Sequence, residues 1–154
     1  MSRLADKIAP TVTGAIFCVL LGAVASAHAF DFVSVATPAI LYDAPSLKAK
    51  KLFVATRYLP LEQVVSLDNW VKVRDSSGKL YWIEKRALSS KRFVTVNQSV
   101  AAVRENPDAN ATVVFLAPQQ LALEWQGEAG AGWLKVRHID GTAGYIKITE
   151  VWGD

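Results

Sequence analysis

One phrase occurs twice in this chain, and the repetition constrains the fold more than any other feature. Residues 70–83 read WVKVRDSSGKLYWI, and residues 133–146 read WLKVRHIDGTAGYI. Trp70, Lys72, Val73, Arg74, Gly78 and Ile83 match Trp133, Lys135, Val136, Arg137, Gly141 and Ile146 without a gap. Upstream, FVSV at Phe32 to Val35 matches FVTV at Phe93 to Val96, and LYDAP ending at Pro45 faces VRENP ending at Pro107. The repeating unit is therefore about sixty residues, the size of one small domain. Two units of that size make a tandem pair, since a solenoid stacks three or more shorter repeats.

Each unit is rich in strand signals and poor in helix signals. FVSVA and FVTVN are β-branched and aromatic runs, and WVKVR and WLKVR alternate with period two. EQVVSL and QLALEW are further candidates. DSSG and HIDG punctuate as tight turns, with Gly78 and Gly141 placed for a positive φ. The pattern predicts an all-β chain of two tandem small β-barrels, each with five or six short strands. EKRAL after Ile83 is long enough only for one 3₁₀ turn. The expected boundaries are a first domain over 30–88, a linker over 89–91 and a second domain over 92–154.

Residues 1–29 read as a Sec-type secretory signal peptide and are set apart from the fold. Arg3 and Lys7 give a basic start, Thr11 to Ala27 carry no charge, and small residues at Ala25, Ala27 and Ala29 suit cleavage after Ala29. An uncleaved membrane anchor is the alternative, at the short limit for a span. With cleavage, the expected destination is periplasmic or secreted. Cys18 is the only cysteine and leaves with the signal, so the exported part relies on its core and has no disulfide, thiol nucleophile or cysteine metal site. Removing 1–29 lowers the net charge from +3 to +2. Neither repeat has the positive field of a nucleic-acid binder.

W-x-K-V-R, a glycine turn and G-Y-I, together with VRENP from Val103, resemble the bacterial SH3-like domain, in two copies over 32–152. The resemblance implies SH3-like barrels, a peptidoglycan ligand, most directly its stem peptides, and a loop at Tyr42 and Asp43 lying near the opening tryptophan. Repeat 1 departs from the pattern where Tyr81 stands in place of Gly144, and where LYDAP replaces V-R-x-x-P.

Alternation assigns the faces. Val71 and Val73 point to the core, as do Leu134 and Val136. Trp70, Lys72 and Arg74 point outward, as do Trp133, Lys135 and Arg137. An indole beside two cations is a candidate binding surface: a flat apolar platform with partners for carboxylates. The alternative is an indole packed over a loop beside solvated cations. Tyr42, Asp43 and Trp70 either line one groove, with Tyr58 as a further wall, or Asp43 bonds backbone in a turn and Tyr42 covers the core. Lys48, Lys50 and Lys51 form a basic cluster, either a solvated surface or a contact for acidic wall polymer or lipid head groups. The glycine-rich loop QGEAGAG before Trp133 is either a ligand-contacting insertion or tolerated length.

Catalysis has little chemistry to draw on. His138 is the single histidine after Ala29. It lies in a turn near Asp140 with no serine or cysteine placed by motif. One histidine beside scattered carboxylates does not make a metal site, so no cofactor or metal is expected. The expected function is an exported, non-catalytic envelope module that binds a cell-wall peptide. The alternative is an interaction helper docking on another envelope protein. Contact with a membrane is expected only through an uncleaved signal segment, and an enzyme with a dispersed site is the remote third reading.

Overall fold

The computed structural model describes residues 31–154, and the expected signal peptide lies outside them. Repeat 1 contains β1 (Phe32–Val35), β2 (Ala39–Tyr42), β3 (Lys51–Ala55), β4 (Pro60–Ser66), β5 (Trp70–Arg74), β6 (Leu80–Glu84) and β7 (Leu88–Ser89). Repeat 2 contains β8 (Phe93–Val96), β9 (Val100–Arg104), β10 (Val113–Pro118), β11 (Ala122–Glu128), β12 (Trp133–Arg137), β13 (Ala143–Lys147) and β14 (Val151–Trp152). The strand orders are β3-β2-β6-β5-β4-β1-β7 and β10-β9-β13-β12-β11-β8-β14. The two sheets are the same design, place for place.

Seven strands stand where five or six were expected. The addition at the end of each unit is a two-residue strand after a 3₁₀ turn, at Lys85–Ala87 and Ile148–Glu150. Such strands are too short to show periodicity. β7 pairs with β1 through Ser34–Ser89 and Val35–Leu88, so Ser89 is held in the first sheet. The chain then crosses to β8 through residues 90–92.

The small barrels expected from the sequence are present but are not closed by hydrogen bonds. Each ladder is open, with β3 and β7, or β10 and β14, at its two edges. The sheet nevertheless wraps its core. Val35, Leu41, Ala55, Leu61, Val71, Val73 and Ile83, drawn from six strands, form one buried cluster. Val96, Val103, Ala117, Leu123, Leu134, Val136 and Ile146 repeat it. Register shifts between Gln63 and Val65, and again between Trp125 and Gly127, bend the long strand at the same place in both units. A bulge adds twist and curls a sheet, so side-chain packing closes what hydrogen bonds leave open. The turn glycines have the expected conformation, with φ of +82° at Gly78 and +95° at Gly141. Their N–H groups close the turns onto Asp75 and His138 carbonyls at 2.9 and 3.0 Å.

The repeats pack against each other through aromatic and cationic groups. Phe32 meets Trp152 edge to face at 5.1 Å, and Tyr58 stacks on Phe93 at 4.5 Å. The Arg92 guanidinium lies 4.4 Å over Trp125 and 5.7 Å from the Phe32 ring. Ser34 Oγ donates to the Lys91 carbonyl at 2.6 Å. Tyr58 is thus a wall of the junction between repeats, and its part in a groove with Tyr42 is corrected.

Candidate functional site

The outward face of repeat 1 is built by three adjacent strands. Register places Tyr42 of β2 opposite Trp82 of β6, and Trp82 opposite Lys72 of β5. One step along, Trp70 faces Glu84, and at the other end Arg74 faces Leu80 and Glu62. β5 alternates as expected, with Val71 and Val73 buried and Trp70, Lys72 and Arg74 half-buried on the opposite side.

Tyr42 and Trp70 are brought together, ring centroids 5.3 Å apart at 86°. This edge-to-face geometry sets a positive ring edge against a negative face. Tyr42 is only 4% exposed, so most of this pair's accessible surface belongs to Trp70. Asp43 does not join them. Its carboxylate accepts the Lys50 N–H at 3.0 Å and its own N–H donates to the Lys50 carbonyl at 3.2 Å, which closes the following loop. The turn reading therefore holds for Asp43, since a short carboxylate beside a reversing chain finds backbone donors first. Lys50 is held through its backbone in that closure, while the Lys48, Lys50 and Lys51 side chains form no ion pair among the described residues.

The cations differ from one another. Arg74 Nη1 contacts both oxygens of Glu62, at 3.1 and 2.9 Å, so its charge is already matched. Lys72 instead holds its ammonium 5.8 Å over the Trp82 ring. Trp82 was not among the site residues expected from sequence. The alternation of LYWIE carries the signal, because Tyr81 and Ile83 are buried and Trp82 must face the other way.

Glu84 turns toward Arg86, with Nε to Oε2 at 2.8 Å. That hydrogen bond, then the charge of Glu84, raises the Arg86 pKa. Tyr42, Pro38, Ile40, Glu84 and Arg86 line a concavity of about 480 Å³, and neither Asp43 nor Trp70 is part of its wall. The site is thus a shallow aromatic face beside a concavity, and not one groove holding all three expected residues.

Repeat 2 presents a different face on the same frame. Arg104 stands opposite Tyr145, and Tyr145 opposite Lys135. The Arg104 guanidinium donates to the Ala111 carbonyl at 2.7 Å, away from Trp133. Trp133, expected outward and available, is 7% exposed. It faces Lys147 across the ladder, whose ammonium sits 5.9 Å over the indole. The preceding loop folds back, with Ala129 N–H donating to the Trp133 carbonyl and Trp133 N–H to that of Gly130. The glycine-rich segment therefore serves a tight reversal before β12. Arg137 Nη2 donates to Gln126 at 3.0 Å.

A second depression, of about 380 Å³, lies in repeat 2 among Phe115, Leu116, Pro118 and Leu121, with His138 and Asp140 at its rim. His138 Nδ1 is 3.0 Å from Asp140 Oδ2. Hydrogen bonds from Thr142, backbone first, and then from His138 lower the Asp140 pKa to about 2. Asp140 is therefore a turn-holding carboxylate. Among the described residues no group of three His, Cys, Asp or Glu side chains is arranged to hold a metal ion, and no helix is long and apolar enough to cross a membrane.

No curated protein matches this sequence. Two solved structures resemble its chain course, NlpC2 and NlpC1 from Trichomonas vaginalis. They are 15% and 16% identical, with TM-scores of 0.37 and 0.38, over 82% and 90% of this chain. The chain spans about half of each, 49% and 51%. The bacterial SH3 domain family matches residues 35–90 and again 97–153, one match on each seven-stranded sheet. The chain therefore belongs to the bacterial SH3 domain family, as two tandem copies.

Proposed function

We propose that this protein is an exported, non-catalytic binding module of the bacterial cell envelope, and that repeat 1 recognises peptidoglycan stem peptides through its outer face. The observation that carries this reading is the Tyr42–Trp70 pair, continued by Trp82 and Lys72 on a face that the core does not need. Two half-buried indoles, Trp70 and Trp82, beside a cation suit a peptide ligand with short apolar side chains and carboxylates. Family membership supports a cell-wall-associated binding role. The non-catalytic part draws on how the carboxylates are used: Glu62 and Glu84 pair with arginines, while Asp43, Asp75 and Asp140 hold turns.

Co-sedimentation with purified sacculi tests the reading. The protein is expected to pellet at moderate salt, Trp70→Ala to stay in the supernatant, and Trp133→Ala, where folded, to pellet as wild type. Absence of pelleting by wild type overturns it, and release of soluble wall fragments overturns its non-catalytic part.

A second reading, docking on another envelope protein, is favoured by the free sheet edges. β3 exposes Phe53 and Val54 at 58% and 69%, and β10 exposes Leu116 at 64%. An edge strand with exposed apolar side chains is a template for strand addition. Lysine substitutions at Val54 and Leu116 separate the readings, since wall binding through Trp70 would survive them.

A further inference from the structure

The outer face of repeat 1 has one half-buried cation that the protein leaves without a carboxylate. Its two acidic groups are both taken, Glu62 by Arg74 at 2.9 Å and Glu84 by Arg86 at 2.8 Å. Lys72 lies between them on β5, the strand that separates β4 with Glu62 from β6 with Glu84. Its neighbours across the ladder are Trp82 on one side and Val65 on the other. Among the described residues it forms no ion pair, and its ammonium rests 5.8 Å over the Trp82 ring. The lysine of repeat 2 at the same place, Lys135, is exposed and faces Gly127 in the position of Val65. The difference is one of surroundings: Lys72 is half-buried between an indole and a valine, and a charge partly withdrawn from water attracts an anion more strongly than an exposed one.

We infer that Lys72, seated on Trp82 and flanked by Trp70, is the receptor for a free carboxylate of the peptide ligand, and that Arg74 is not. This rests on the stem-peptide reading of the same face and deepens it. The indole positions the ammonium, because a cation over a ring face keeps its N–H donors available outward. Trp70, two residues along the same strand and held by Tyr42, offers the apolar platform for the side chain next to that carboxylate. Arg74 already has its charge matched, since its Nη1 contacts both oxygens of Glu62. Recognition is then a contest between two neighbouring cations that the ion-pair network has already settled. The ligand class is a short peptide ending in a small apolar residue with an unblocked carboxyl group.

The test uses the whole exported chain and two probes, N-acetyl-Lys-D-Ala-D-Ala as the free acid and as its C-terminal amide, titrated by calorimetry. Wild type is expected to bind the acid about tenfold more tightly than the amide, the scale of a hydrogen bond to a charged group. Lys72→Met should bring the two probes to equal, weak binding, and Lys72→Arg should restore the preference. Arg74→Gln should leave the ratio as in wild type. Far-ultraviolet circular dichroism at the assay temperature establishes that each variant is folded. Equal binding of acid and amide by wild type overturns the inference, as does a preference that survives Lys72→Met or is lost in Arg74→Gln. If neither probe binds while sacculi still pellet the protein through Trp70, the carboxylate assignment fails and the wall-binding reading stands. If sacculi fail as well, both fall.

Discussion

The two repeats share a strand order, matching core positions and the same bulge, yet they present different faces to solvent. In repeat 1 the opening tryptophan meets Tyr42, and its cross-strand neighbour Glu84 turns away to Arg86. In repeat 2 the tyrosine has become Arg104, which reaches for a loop carbonyl, and the neighbour has become Lys147, which lies over Trp133. One indole is left half-exposed and the other is 7% exposed. The lesson is that duplication preserves the residue but not its role. Cross-strand partners decide whether a tryptophan is a platform or part of the packing.

A second contrast lies one residue before Trp82 and its counterpart Tyr145. Tyr81 belongs to the first core, and its ring meets the exposed Phe53 of β3 edge to face at 5.7 Å. Its counterpart Gly144 sits where an added Cβ would lie 2.6 Å from Val103 and 2.7 Å from the Arg104 carbonyl. Only glycine lets β13 approach β9 this closely.

The largest effects should come from side chains that one copy buries. Tyr81→Ala is expected to destabilise the protein by about 3–5 kcal/mol in urea unfolding, as for other buried aromatics. Trp133→Ala should cost about as much by the same measure. If Trp133→Ala proves mild while Trp70→Ala is severe, the assignment of platform and packing is reversed.

Gly144→Ala should cost about 1–3 kcal/mol, since Val103 and the Arg104 backbone must shift to admit the methyl group. A neutral result would mean that the close approach of β13 to β9 is not needed. Trp70→Ala is expected to cost only about 1–2 kcal/mol, mainly lost contact with Tyr42, while abolishing wall binding.

The smallest effect is one of pH. Burial, then the Asp75 charge and the hydrogen bond between them, raises the Tyr81 hydroxyl above its ordinary 10.0. Its folded pKa therefore lies above the unfolded one. The contribution is complete below pH 10 and is lost as pH rises through the folded value. Wild type should lose melting temperature above pH 10 more steeply than Tyr81→Phe. Parallel curves for the two would show that the Asp75 contact adds no stability. Asp75 runs the other way. Burial acts to raise it, but the Ser77 hydroxyl, the Lys79 and Ser77 N–H groups and the Tyr81 hydroxyl together lower it, so its share is lost as pH falls below 3.8.

Much of the architecture was legible because it depends on local pattern. Period-two alternation in WVKVR and WLKVR placed Val71, Val73, Leu134 and Val136 in the cores. Glycine at 78 and 141 announced the positive-φ turns. The two-residue strands β7 and β14 were not legible, since a pair of residues has no period. The open edges of the sheets were not legible either, because closure depends on how far the bulges curl each sheet. At the site, alternation put Trp70, Lys72 and Arg74 on one face, and the same rule applied to LYWIE would have added Trp82. It had no means of assigning Arg74 to Glu62 or Asp43 to Lys50, because those partners lie across a ladder or a loop.

The sequence by itself determined that this chain is two copies of one small β domain, which residues form each core, and where each turn reverses. Those properties follow from alternation and from backbone preferences, which act between near neighbours. Only the tertiary structure decided which outward residues remain available. Arg74 and Glu84 were claimed by partners, Trp133 was covered, and Lys72 and Trp70 were left on an aromatic face. Availability depends on groups brought together from different strands, and the register that joins them is set by packing of the whole sheet.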